Sequence, residues 1–187
     1  APLRDKPNDN GVVLYEGPSL LDGTPVVVVA TNIKDASQNG KTGAMVQTFI
    51  IRQDISPVKA AASGDDGGIC GDCRHRPAVA NQTGDAPCYV KVFQAPRSVW
   101  ECWRSGGYRR ATETQRALLS GAVFRFGTYG DPAAVPQWVW PVPEKRTGYT
   151  HQWRRESSQG YRSLLMASVD SGSEYLSAHD AGWRTFR

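Results

Sequence analysis

Cys70, Cys73 and Cys88 are the residues of this 187-residue sequence best suited to hold a metal. Cys70-Gly-Asp-Cys73 sets two thiols on one glycine-containing turn, and fourteen residues separate Cys73 from Cys88. A Cys-x2-Cys pair closed by a distant third cysteine suits zinc or an iron–sulfur cluster. Three thiolates leave one cluster iron open, or leave zinc a fourth position that His75 could fill. Adding Cys102 would give a four-thiolate structural zinc. Cys102 lies between Trp100 and Trp103 on a predicted helix, however, where a buried cysteine is ordinary core. Free thiols and disulfides are the alternatives that need no metal.

Other candidates lie further along. Asp131 closes a Gly-Thr-Tyr-Gly turn, His151 sits in Tyr149-Thr-His-Gln-Trp153, and Asp170 follows the run Leu164–Val169. Carboxylates and a histidine at strand ends suit general acid–base chemistry. Turn formation by Asp131, a structural role for His151 and helix initiation beside Asp170 are the plainer alternatives. Arg74 and Arg76 flank His75 and could clamp phosphate or carboxylate. With Tyr129, Tyr149 and Gln152 they make up the expected substrate-binding set. Arg97, Trp100, Trp103 and Arg104 combine cations with indoles, the mixture used to stack on single-stranded bases. At i, i+3 spacing the two tryptophans equally describe one packed helix face.

The elements that must position these groups follow from the hydrophobic pattern. Val26–Asn32 and Met45–Arg52 are β-rich and predict an N-terminal hairpin over 26–52, turned at Asn39-Gly40. Gly40-Lys41-Thr42 is not a phosphate loop, because Asp35 stands where the motif needs glycine and no helix pattern follows. Ser56-Pro57 starts a short helix that Gly64 ends, and residues 65–68 form a loop into the cysteines. Tyr89–Phe93 alternates and predicts a strand. Helices are expected from Pro96 to Arg104, over Thr112–Leu119 and over Ala133–Trp140. Strands are expected at Ala122–Phe126, Thr147–Trp153, Leu164–Val169 and Trp183–Phe186. Ser171-Gly-Ser-Glu174 is a capping box, so Ser163–Phe186 forms one β-α-β unit with parallel strands.

These signals predict a single α/β domain over residues 12–187, barrel-like but short of a full (β/α) barrel, after a flexible lead-in at 1–11. In such folds the working groups gather at the C-terminal ends of the strands.

Composition narrows the function classes. Hydrophobic residues make up 40% and charged residues 21%, as in a globular domain. No apolar run reaches the ~18 residues that cross a bilayer, so no membrane partner is expected. A cytoplasmic location, where thiols stay reduced, is expected. Residues 1–69 carry six Lys/Arg against eight Asp/Glu, and residues 70–187 carry sixteen against ten. The basic half begins at the first cysteine, which is compatible with a nucleic-acid or nucleotide partner.

Five segments together resemble an uncharacterised phage- and prophage-encoded family. They are Gly43–Thr48, Cys70-Gly-Asp-Cys73 with Cys88-Tyr-Val, Phe126–Pro132, Gly148–Trp153 and Met166–Ser171, and they span most of the chain. More loosely, the order of features is similar to phage proteins with a radical-SAM-like partial barrel. The cysteine spacing differs from the Cys-x3-Cys-x2-Cys of true radical-SAM enzymes. The resemblance implies a phage-type protein with a zinc or iron–sulfur site that acts on nucleic acid or a nucleotide. The alternatives are a zinc-stabilised protein that binds DNA, RNA or a host protein without catalysis, and a virion or assembly component.

Overall fold

The run Val26–Ala30 is wholly buried and forms the centre of the molecule. The computed structural model describes residues 6–35, 43–85 and 87–187. The fold is mixed α/β. Among the described residues β1 (Gly11–Pro18), β2 (Pro25–Thr31) and β3 (Val46–Arg52) form an antiparallel meander. The expected hairpin between β2 and β3 is thus present, while its turn at Asn39-Gly40 lies outside the described residues. The short β4 (Arg109–Arg110) adds to β1 in parallel. On the other side β5 (Phe124–Tyr129) pairs in parallel with β3, and β6 (Arg146–Thr147) with β5. The sheet order is β4-β1-β2-β3-β5-β6.

A second sheet begins one residue later. β7 (Tyr149–Thr150), β8 (Met166–Ser168) and β9 (Thr185–Phe186) pair in parallel, in that order. Phe124 of β5 donates its amide to the Lys145 carbonyl at 2.9 Å, and Met166 of β8 donates to the Gly148 carbonyl at 3.0 Å. One extended stretch, 145–150, therefore serves as edge to both sheets. Gly148 allows the crossing, since a β-carbon there would lie 2.6 Å from Phe126 Cβ.

Helices pack around these sheets. α1 (Pro57–Ser63) begins as expected, with Ser56 Oγ accepting from Lys59 N and Gly64 closing it. The second half of the loop expected over 65–68 is instead helical, beginning the one-turn α2 (Gly67–Cys70), and α3 (Pro77–Thr83) follows. α4 (Ala95–Arg104), α5 (Glu113–Ser120) and α6 (Gly172–Asp180) match expectation, and Thr112 and Ser171 cap the last two. The pair β8–β9 with α6 between them is the expected β-α-β unit.

Two other expectations fail. Tyr89–Phe93 is not a strand. Val90 N is directed at Cys88 Sγ, Gln94 N donates to Lys91 O, and the exposed Tyr89 and Phe93 side chains alternate for a surface instead of a sheet. The helix expected over Ala133–Trp140 is two 3-10 turns, Pro132–Ala134 and Gln137–Val139, split by Pro136, whose ring disfavours helix at Val135. Within the described part of the lead-in, Asn8 N donates to Gly107 O and Asn10 Oδ1 accepts from Lys34 N and Asp35 N.

Candidate functional site

α2 carries Cys70 at its end, and the turn after it carries Cys73 and His75. Three bonds fix this segment to the strand ends. Asp131 N donates to Ile69 O at 2.6 Å, Gln152 Nε2 donates to Cys70 O at 3.1 Å, and Asp72 N donates to Gln152 Oε1 at 3.4 Å. Gly71 is required between the first two cysteines. Its φ is +55°, and a β-carbon would sit 2.5 Å from the Gln152 amide. Cys88 is tied in by its own amide, which donates to His75 O at 2.7 Å.

Cys70, Cys73 and Cys88 consequently line one cavity of about 330 Å3, together with His75, His151, Asp131 and Asp170. Asp131 directly follows the Gly130 that ends the turn after β5, His151 directly follows β7, and Asp170 lies two residues beyond β8. Sequence and fold thus bring the three expected catalytic residues and the three expected metal ligands to one place. Cys102 is elsewhere, buried on α4. None of the four cysteines is disulfide-bonded.

Electrostatics within the cavity are dominated by desolvation. Burial pushes the thiols of all three cysteines up, Cys73 to about 12, and each of these two lowest-numbered thiols is raised further by Cys88. Two backbone amides act in the opposite sense. His75 N–H is bonded to the Cys73 sulfur, and Val90 N lies 3.5 Å from Cys88 Sγ. In both cases the donor is two residues beyond the cysteine. Burial also raises the Asp131 carboxyl, which is opposed by donors from Ala133 N, the Thr150 hydroxyl and His151 N. The Asp131 carboxylate accepts from Ala133 N at 3.0 Å and His151 N at 2.9 Å, with Gln152 Nε2 at 3.4 Å. Asp131 therefore works on the protein, orienting the strand ends. Burial pulls His151 down, against the raising effect of the Asp131 and Asp170 carboxylates.

His75 Nε2 lies 3.0 Å from Asp170 Oδ1, and His151 Nε2 lies 3.8 Å from Cys73 Sγ. The His75 and His151 rings meet edge to face at 5.9 Å. Among the described residues, one donor atom each from His75, His151 and Asp170 lie within 4.8 Å of one another. The three cysteine sulfurs do not share so tight a radius.

The expected substrate-binding set divides. Arg76 lines the cavity, but its guanidinium is spent on Asp66 at 2.8 Å and on the Gly71 and Gly64 carbonyls. Gln152 is 1% exposed and acts as the clamp described above. Arg74 is paired with Asp85 outside the cavity, over a neighbouring groove. Tyr129 and Tyr149 do line it. Tyr129 Oη and Thr128 Oγ1 are buried there without a hydrogen-bond partner among the described residues. Tyr149 Oη is bonded to Tyr89 Oη, Arg125 donates to Tyr89 Oη at 3.1 Å, and Phe186 stacks on Tyr149 at 4.6 Å.

The expected nucleic-acid set sits apart on α4. Trp100 Nε1 donates to Arg52 O at 3.0 Å and Trp103 Nε1 to Glu16 at 2.9 Å, while Arg97 pairs with Glu101 and Arg104 covers the Trp100 ring. The indoles fix α4 to β1 and to the end of β3. Thr128, Tyr89 and Phe186 were not singled out by sequence. The paired glycines of Phe126-Gly-Thr-Tyr-Gly130 were the signal for Thr128, while the other two reach the cavity only through folding.

No protein-family model, curated protein or solved structure matches this chain. Among the described residues no helix is long and apolar enough to cross a membrane.

Proposed function

We propose that Cys70, Cys73 and Cys88 hold an iron–sulfur cluster in the cavity, and that the cavity receives a nucleotide-sized ligand beside it. The observation that carries this reading is the convergence of the three thiols on one cavity, with an amide two residues on directed at two of the sulfurs. Amide donors at sulfur stabilise thiolate and tune a cluster. Burial disfavours the thiolate form of all three cysteines, and a bound metal would reverse that balance by holding them as thiolates. A single zinc with Zn–S bonds of ~2.3 Å would draw its sulfurs to about 3.8 Å apart. Among the described residues the three sulfurs do not all lie within 4.8 Å of one another, which favours a polynuclear centre over one zinc ion. The unpartnered Tyr129 and Thr128 hydroxyls supply further donors. A cluster held by three cysteines contributes one iron with a free coordination position.

Tyr89, Tyr149 and Phe186 give the cavity an aromatic wall, and stacking of a base on such a surface contributes ~1–3 kcal/mol. The parallel strands β3, β5, β6–β7, β8 and β9 are read here as the arc of a partial (β/α) barrel, whose C-terminal face carries the site. A phage-type protein, as the sequence resemblance implies, working in the reducing cytoplasm expected from the sequence, suits an oxidisable centre of this kind.

The test is anaerobic purification and reconstitution of the full chain, with iron, labile sulfide and visible absorption measured. Stoichiometric iron and sulfide with broad visible absorption, lost in Cys70→Ser and Cys88→Ser but kept in Cys102→Ser, is expected. Colourless protein with one tightly held zinc would replace this reading by a structural zinc site. Neither metal would end it.

A further inference from the structure

We infer that His75, His151 and Asp170 form a separate site for one divalent transition-metal ion of the zinc or iron(II) class. This site is distinct from the cysteine-held centre, with which it shares a border where His151 Nε2 lies 3.8 Å from Cys73 Sγ. Three segments far apart in sequence supply it. His75 comes from the turn between α2 and α3, His151 from the residue after β7, and Asp170 from the end of β8. Their donor atoms already lie within 4.8 Å of one another, and the His75–Asp170 edge is 3.0 Å. Metal–nitrogen distances of ~2.0–2.1 Å put tetrahedral ligands about 3.3 Å apart. Small side-chain rotations therefore close the triangle around an ion.

Two imidazoles and one carboxylate, facing an open position, are the donor set of mononuclear hydrolytic zinc and non-haem iron(II) sites. The backbone behind each donor is held. His151 N donates to Asp131 at 2.9 Å, His75 O accepts from Cys88 N at 2.7 Å, and Asp170 N donates to Glu174 Oε2 at 2.6 Å. Outer contacts of this sort fix metal ligands in place.

Position adds a second argument. His151 and Asp170 border both the 330 Å3 cavity and an outer groove of about 410 Å3 that contains Arg74, Arg154 and Arg155. The ion would sit in the partition between the two, with ligand space on each side. His75 and Asp170 side chains are 32% and 22% exposed, which leaves the position reachable from solvent. A ligand that places an oxygen or nitrogen on the ion can therefore enter without unfolding of the site. An ion here would activate a bound water or polarise a ligand carbonyl or phosphoryl oxygen.

The experiment is titration of chelator-treated full-length chain with cobalt(II), followed by optical spectroscopy, and X-ray absorption on the protein loaded with one equivalent of zinc. Expected are one cobalt per chain with d–d bands and a zinc shell of nitrogen and oxygen carrying no more than one sulfur. His75→Gln and Asp170→Asn should each weaken binding about tenfold or more. Two or more sulfurs around zinc, intense thiolate-to-cobalt absorption, or unchanged affinity in both variants would overturn the assignment. The wild-type spectra decide the matter even if a variant does not fold. A protein without iron or sulfide that still binds cobalt in this way would retain this site and lose the cluster.

Discussion

Arg76 shows how a residue chosen for binding can be claimed by the fold. Its guanidinium joins Asp66, Gly64 O and Gly71 O, and so ties the cysteine turn to the end of α1. Asp66 is 2% exposed. Removing Arg76 strands that carboxylate, so Arg76→Ala is expected to cost ~3–5 kcal/mol in chemical denaturation. The pH dependence has a definite sign. Burial raises the folded pKa of Asp66 above its ordinary 3.8, even with Arg76 beside it. The folded state then holds the proton more tightly than the unfolded chain. This contribution favours folding below the ordinary carboxylate value and is lost as pH rises from there through the folded value. Arg76→Ala should steepen that loss, and an unchanged slope in denaturation curves across acidic pH would contradict it. Sequence types and spacing did identify the residues that meet at the cavity, because metal ligands and strand-end carboxylates are few. They did not separate Asp131 and Gln152, which serve the backbone, from His75, which faces Asp170. That distinction depends on which partners are within reach after folding.

Elements were legible where the pattern was strong. The buried valine run of β2, the Ser56-Pro57 start of α1 and the Ser171 cap of α6 each carry their own signal. The strand expected at Tyr89–Phe93 failed because alternation of apolar residues says nothing about which sheet edge is available. α3 was missed because Pro77–Thr83 has little apolar periodicity; only Ala80 is fully buried. The turn after β5 depends on Gly130, with φ +82° and a β-carbon position 2.7 Å from Ile50 O. Gly130→Ala is expected to cost about 2 kcal/mol or more, read as a lower denaturation midpoint at constant slope. The start of α6 has a separate role. Glu174 accepts from Asp170 N at 2.6 Å and is paired with Arg154 at 2.9 Å. Glu174→Ala should therefore lower affinity for the ion at His75, His151 and Asp170 by about tenfold while leaving the three donors intact. Isothermal titration with zinc checks this, and an unchanged constant would place Glu174 outside the site's support.

At the scale of the whole molecule, the charge division seen in sequence has a structural counterpart. Residues 70–187, the basic half, contribute most of the cavity lining and the arginines of the adjoining groove. Those arginines are largely answered locally: Arg74 by Asp85, Arg154 by Glu174 and Arg155 by Asp72. A mild net positive charge thus becomes a patterned groove of both signs. The N-terminal meander supplies the buried sheet against which this half is built. Few cues in sequence could have shown that one stretch joins the two sheets, since its two-residue pairings are too short to mark.

That stretch, 145–150, also carries an expectation about how the molecule opens. The amides of Phe124 and Met166 belong to different sheets, yet they hang on carbonyls only three residues apart, at Lys145 and Gly148. Releasing the stretch frees both amides at once. In native-state hydrogen exchange the two should therefore respond to denaturant with one shared slope and free energy, as members of a single cooperative unit. Distinct slopes would mean that the sheets open separately. A shared slope would mean that the strand ends bearing Asp131 and Asp170 appear and disappear together, leaving no half-open state in which one side of the cavity survives without the other.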